Sequence, residues 1–204
     1  MEINFDEQNA GEIYFNMTQT LVPRPIAWIL TKNEVGGYNI APFSYFTAIC
    51  SDPPLILFSV GKKPDGTPKD TRANILRTGE FIVHIPGTIS MEAVNESSAT
   101  LPAEVSEVEK LGLETTAFGH FSLPRIAGCP VAYACELYEV KEIGPKKQAL
   151  IFGKIKSLYI DEKIVSTDKK GRLKTDLKKL DPLSRLGADE YASLGEIFKI
   201  SRPK

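Results

Sequence analysis

The stretch RPIAWILTKNEVGGYNIAPFSYFTAIC, Arg24 to Cys50, decides the fold. Its first run, Ile26 to Thr31, is short and apolar, and Val35-Gly36-Gly37 reads as a turn. A second apolar run from Tyr38 to Cys50 follows, so the two runs form a hairpin. Pro42 lies inside the second run and removes one N–H from any ladder, which makes that strand irregular or places it at an edge. Upstream, Asp6 to about Leu21 reads as a helix with Asp6 as N-cap, halted by Pro23 and Pro25. Downstream, Asp52-Pro53-Pro54 punctuates before a third strand, Leu55 to Val60. Asp70 can N-cap a helix from Thr71 to about Arg77, closed by Gly79. Phe81 to Ile85 is a fourth strand, and Val131–Lys141 and Ala149–Ile160 are two more. Within the last, Ile151-Phe152-Gly153 marks a bulge or a close backbone approach. Ser90–Ser98, Pro102–Leu111 and Asp189–Leu194 are short helix candidates. Strands outnumber helices, the turns are of hairpin type, and neither βαβ alternation nor a GxGxxG is present. The physical reading is one domain over residues 1–204, mainly β, an antiparallel barrel with peripheral helices.

The 204 residues suffice for a core without covalent staples, and 42% hydrophobic with 25% charged residues excludes fibrous and disordered classes. The 25 basic and 26 acidic residues leave a net charge of −1, so nothing favours nucleic acid or an anionic membrane as partner. Three cysteines, no CxxC and only two histidines, His84 and His120, provide no metal-ligand cluster and no disulfide framework. The acidic start MEINFDEQNAGEIYF lacks a secretory pattern, and no apolar run approaches the roughly 20 residues of a membrane helix. The expectation is a soluble, cytoplasmic protein.

Local acid–base chemistry is sparse. There is no GxSxG, no carboxylate pair is spaced for glycoside hydrolysis, and His84 in its apolar strand reads as structural. No catalytic side chain is expected, which leaves cofactor chemistry as the route to an enzyme. Three segments stand out. Arg24 and the sole tryptophan, Trp28, flank a rigid Pro-x-Pro strand entry, where Trp28 is either a core residue or part of a site. Asn39 to Thr47 offers free backbone groups beside Ser44, Thr47 and aromatic rings, which suits a flat ligand with a hydrogen-bonding rim. Lys69-Asp70-Thr71 combines a cation, a hydroxyl and a helix start, the composition of a phosphate site.

The motifs RPIAW, NIAPFSYF, SDPP, KDT with NI and TGEFIVH, and SRLGADEY, in this order, resemble the flavin reductase-like family of FMN-binding split barrels. The resemblance runs from about Tyr14 to Tyr191. It implies a six-stranded antiparallel split barrel, a homodimer, and FMN near the subunit boundary. It also implies that Asn39, Ala41, Pro42, Phe43, Ser44, Tyr45, Phe46 and Thr47 lie along the flavin ring and ribityl chain. Ser59-Val60-Gly61 and Lys69-Asp70-Thr71 would flank the phosphate, and Arg24 and Trp28 would lie beside or under the flavin. Leu186, Gly187 and Tyr191 would close the site from the second subunit. The family often carries Asn where this chain has His84, and Gly-Gly where it has Gly187-Ala188. The implied activity is NAD(P)H-dependent flavin reduction, with electrons passed to free flavin or to a partner protein. The alternatives are an electron carrier fed by a protein donor, without nicotinamide turnover, and a non-enzymatic FMN-binding module.

Overall fold

Gly36 and Gly37 take φ of 106° and 73°, a region open to glycine and costly to most side chains, and they reverse the chain as the sequence requires. The turn joins β1 (Ala27–Lys32) to β2 (Tyr38–Phe43), paired from Ala27 opposite Phe43 to Lys32 opposite Tyr38. The structure, a computed structural model, describes residues 1–203. Five further strands complete the main sheet: β3 (Phe46–Ser51), β4 (Pro54–Val60), β5 (Glu80–Ile85), β6 (Val131–Ile143) and β7 (Gln148–Ile160). All neighbours are antiparallel, in the order β2-β1-β5-β6-β7-β4-β3.

This sheet has seven strands rather than six. The run Tyr38–Cys50 is not one strand: it breaks at Ser44-Tyr45 into β2 and β3, which lie at opposite edges of the sheet. A flat sheet of this width would hold its edges about 29 Å apart, whereas the link from Phe43 to Phe46 spans at most about 10 Å. The sheet therefore curls until its edges meet at Ser44-Tyr45. No ladder pairs β2 with β3, so the curl is not a closed barrel.

Inside the curl lie Ala27, Ile29, Phe43, Phe58, Phe81, Val83 and Ile151, drawn from five of the strands and joined by Ile75. The opposite faces of β1, β5 and β6 pack Trp28, Leu30, Ile82 and Ala132 against Val94, Phe118, Leu123 and Ile126 of the segment between β5 and β6. This double burial explains why β1 is apolar at every position from Ala27 to Leu30 instead of alternating. The expected irregularity in β7 is present as a register shift at Phe152/Gly153. A Cβ on Gly153 would collide with the Phe81 ring unless that ring shifted.

Helix α1 (Ala10–Thr20) is capped by Asn9, with Glu12 completing a capping box, and not by Asp6, which lies in a separate 3₁₀ turn, Phe5–Glu7. Helix α2 spans Asp70–Thr78 and ends at Gly79 with φ 74°. Here too the cap shifts: Lys69 is the N-cap and Asp70 the first helical residue. Two short helices, α3 (Met91–Glu96) and α4 (Glu107–Lys110), replace the longer ones anticipated. No helix forms at Asp189–Leu194. Tyr191–Ala192 instead pairs with Ser184–Arg185, which pairs with Arg24–Pro25. Six residues are too few to nucleate a helix without help, and the exposed edge at Arg24 supplies ladder partners. Among the described residues no helix is long and apolar enough to cross a membrane.

Candidate functional site

The seam at Ser44-Tyr45 is flanked by a chain of three concavities that share residues. The largest, a cleft of about 710 Å³, has an apolar floor of Pro42, Phe43, Leu57 and Leu150, with Thr47, Ser59, Gly61, Lys62 and Lys69 around it. Gln148 Nε2 donates to Ser59 Oγ at 2.8 Å and fixes that wall. The Lys69 ammonium stands 5.9 Å from the Phe43 ring centroid, within cation–π range. Tyr14 joins the cleft from α1, its ring 6.5 Å from that of Tyr45. Partial burial raises the Tyr45 phenol, Tyr14 adds to the shift, and Arg24 opposes it.

Lys69 also lines a narrow slot of about 40 Å³ at the start of α2, with Asn39, Ala41, Lys63, Asp70, Thr71 and the run Ser97–Thr100. No side chain caps this helix, and its first N–H groups have no intrahelical acceptors. Lys63 Nζ pairs with Asp70 Oδ1 at 2.7 Å. Asn39 Nδ2 donates to Thr31 Oγ1 at 3.2 Å and to Thr71 Oγ1 at 3.0 Å. Asn74 Nδ2 donates to Thr31 Oγ1 at 3.1 Å and to Asn33 Oδ1 at 3.0 Å. This buried network locks α2 onto the β1–β2 hairpin and so sets the place of the slot. Glu107 closes it from α4: its Oε2 accepts from Ile40 N–H at 3.3 Å, and burial pushes its carboxyl up.

A third hollow, about 220 Å³, lies on the other side of Pro42 and Ser44 and is bounded by Tyr14, Ile26, Asn95, Ser98, Arg185 and Tyr191. Its wall is tied to Arg24, whose buried guanidinium donates to Thr18 O at 2.7 Å, Leu21 O at 2.8 Å, Leu186 O at 2.6 Å and, more weakly, Ser44 Oγ at 3.4 Å. Arg24 thus joins α1, the C-terminal segment and the seam.

Of the residues expected from the sequence, Asn39, Ala41, Pro42, Phe43, Ser44, Tyr45, Thr47, Ser59, Gly61, Lys69, Asp70 and Thr71 line this connected groove. Four do not. Val60 is wholly buried in the core, and Phe46 packs against the core opposite Phe58. Arg24 acts from behind Ser44. Trp28 is the core residue of the two readings left open: it is 1% exposed, and its indole N–H donates to Ser97 Oγ at 2.9 Å. Through that bond Trp28 fixes the start of the Ser97–Thr100 run. His84 is likewise structural. It is fully buried; its Nε2 accepts from Ile126 N–H at 2.9 Å, and Nδ1 lies 3.0 Å from Trp28 O. Burial holds its pKa down to about 4, Arg125 pushing the same way and the Trp28 carbonyl opposing.

Tyr191 lines the groove of its own chain, and Leu186 is bound by Arg24 of the same chain, so the C-terminal segment is already in place within one subunit. The β-ladder through Arg24–Pro25 holds this segment against its own chain. Ala188 holds φ 46°. Sequence reasoning missed Tyr14, Asn95, Ser97–Thr100, Gln148 and Arg185. They lie on α1, α3 and its trailing loop, β7 and the C-terminal ladder, far apart in sequence, and only the hydroxyl-rich run Ser97-Ser98-Ala99-Thr100 carried a local signal.

The flavin reductase like domain matches residues 18–174, more than half of the chain. The chain belongs to the flavin reductase-like family. It is 38% identical over its whole length to an uncharacterized protein of Halalkalibacterium halodurans, covering 97% of that protein. Among solved structures, nitrilotriacetate monooxygenase component B from Bacillus cereus superposes with a TM-score of 0.89 at 33% identity, with 98% of each chain covered. The 2-nitrobenzoate 2-nitroreductase NbaA of Pseudomonas fluorescens superposes with a TM-score of 0.88 at 26% identity, covering 100% of this chain and 96% of the other.

Proposed function

We propose that this chain is an FMN-binding oxidoreductase that uses NAD(P)H to reduce flavin and acts as a homodimer in the cytoplasm. The observation that carries the reading is the junction of the cleft with the slot at Lys69. There an apolar floor runs into an uncapped helix start with two lysines beside it. The donor set fits FMN: apolar side chains and free seam backbone for the ring, hydroxyls for the ribityl chain, and cations with helix N–H groups for the phosphate.

Bound flavin supplies hydride chemistry, accepting two electrons from NAD(P)H and yielding them to free flavin or a partner protein. The chain's own residues position and exclude. Pro42, Phe43, Leu57 and Leu150 keep water from one face of the ring, while Ser44, Thr47 and the seam backbone meet its polar rim. Lys69, with Thr71 and the start of α2, holds the phosphate, and Lys63 neutralises Asp70 beside it. No side-chain proton donor is required in this arrangement. The homodimer is supported by apolar side chains left in solvent, among them Phe15, Leu21, Ile49, Phe198 and Ile200.

The test is to titrate wild type and Lys69→Ala with FMN and with riboflavin by fluorescence quenching. Wild type binds FMN, and Lys69→Ala loses about 1.5–3 kcal/mol, roughly 10- to 150-fold, toward FMN alone. Unchanged FMN affinity, or an equal loss toward riboflavin, refutes the phosphate assignment. Oxidation of NADH and NADPH by the loaded protein then separates a reductase from a carrier without nicotinamide turnover.

A further inference from the structure

The third hollow is a place where one sign of charge is left unanswered. Arg24 and Arg185 stand directly opposite each other in the short antiparallel ladder. Neither takes part in any ion pair among the described residues. Like charges facing across a ladder repel. Arg24 spends its guanidinium on three carbonyls and on Ser44, which leaves the Ser44 O–H free to donate. Arg185 lies over the Tyr191 ring, 4.5 Å from its centroid, and one nitrogen donates to Ala188 O, so its remaining N–H groups have no partner among the described residues.

The rest of the wall has the same polarity. Tyr191 O–H donates to Asn95 Oδ1 at 3.1 Å, which occupies the amide oxygen and leaves the Asn95 NH₂ as a donor. No carboxylate lines the hollow. Carboxylates occur in the neighbouring depression on the far side of Tyr191 and Asn95, lined by Glu92 and Asp189. Tyr14 and Pro42 add flat apolar surface and are shared, with Ser44, by the flavin cleft. A ligand in the hollow thus abuts whatever fills the cleft.

We propose that this hollow binds the anionic group of the second substrate, a carboxylate or a phosphate, through Arg185 and Asn95, and so selects flat anionic molecules to meet the flavin at Pro42. The proposal rests on the reading of the cleft as a flavin site. Arg185 is a specificity-determining residue in it, and Tyr191 positions both Arg185 and Asn95.

The experiment first measures FMN affinity of wild type, Arg185→Ala and Arg185→Lys, then titrates each FMN-loaded protein with four probes while following the flavin absorbance band. Benzoate is compared with benzamide, and NAD⁺ with nicotinamide. In wild type at least one anion binds roughly tenfold or more tightly than its uncharged counterpart, the size of one charge-assisted contact. Arg185→Ala abolishes that ratio while FMN affinity stays within about twofold, and Arg185→Lys keeps part of it, because the charge remains and the fork is lost. A ratio for benzoate alone identifies a carboxylate substrate, and a ratio for NAD⁺ alone the phosphates of the nicotinamide donor; either supports the proposal. No anion preference in wild type, or a preference that survives in Arg185→Ala, overturns it. Failure of wild type to bind FMN overturns instead the flavin reading on which it rests.

Discussion

Acid should destabilise this protein through His84 in a way that can be isolated. In the folded chain the ring is fully buried and its pKa is held down to about 4, against 6.5 ordinarily. Protonation would put a second N–H on Nε2, which faces the Ile126 N–H and can only accept there. Above pH 6.5 the ring is neutral in both states and the full stability is present. As pH falls from 6.5 toward 4 the unfolded chain takes up a proton that the folded chain refuses, at 1.36 kcal/mol per unit. Between pH 6.5 and 5 this removes about 2 kcal/mol, and about 3 kcal/mol by pH 4. Urea unfolding followed by the fluorescence of Trp28, the only tryptophan, measures it at several pH values. Protein concentration and flavin occupancy are held fixed, since both shift the midpoint. His84→Gln is the reference. It is less stable throughout, because Trp28 O and Ile126 N–H lose their partners, but carboxylates titrate in it as in wild type. The difference between the two slopes is the histidine. Parallel slopes for wild type and His84→Gln between pH 6.5 and 5 would refute the burial argument.

Gly153→Ala should cost about 1–3 kcal/mol, because its methyl group would collide with Phe81, and Phe81→Leu in the same chain should recover part of the loss; thermal melts of the two variants decide it. Ser44→Ala and Thr47→Ala should each weaken FMN by about 0.5–1.5 kcal/mol without abolishing its reduction. A roughly thousandfold fall in the single-turnover rate at full FMN occupancy, about 4 kcal/mol of barrier, would assign that hydroxyl a chemical role instead. Light scattering on the FMN-loaded protein should return a dimer mass, and a monomer at micromolar concentration would refute the homodimer.

Much of this was legible in the chain itself. Runs of apolar residues between Gly and Pro punctuation located the strands, because those residues act locally: Gly36-Gly37 turns the hairpin and Gly79 ends α2. The motif spacing identified the family and twelve residues that line the groove, since an irregular strand end such as Asn39 to Thr47 carries its own signature in Pro42. Helix caps were misplaced by one to three residues, because Asn9 and Lys69 compete with Asp6 and Asp70 on terms that depend on the chain beyond the helix. What tertiary structure alone decided is the seam. Nothing local in Phe43-Ser44-Tyr45-Phe46 says that β2 and β3 belong to opposite edges of one sheet, which follows only when β4 to β7 fill the space between them. Tertiary structure likewise chose the core for Trp28, through the long-range bond to Ser97, and carried Arg185 and Tyr191 to the groove of their own chain through a ladder with Arg24. Contacts between residues 69 and 161 positions apart have no periodicity to announce them; burial and hydrogen-bond satisfaction in the finished fold select them.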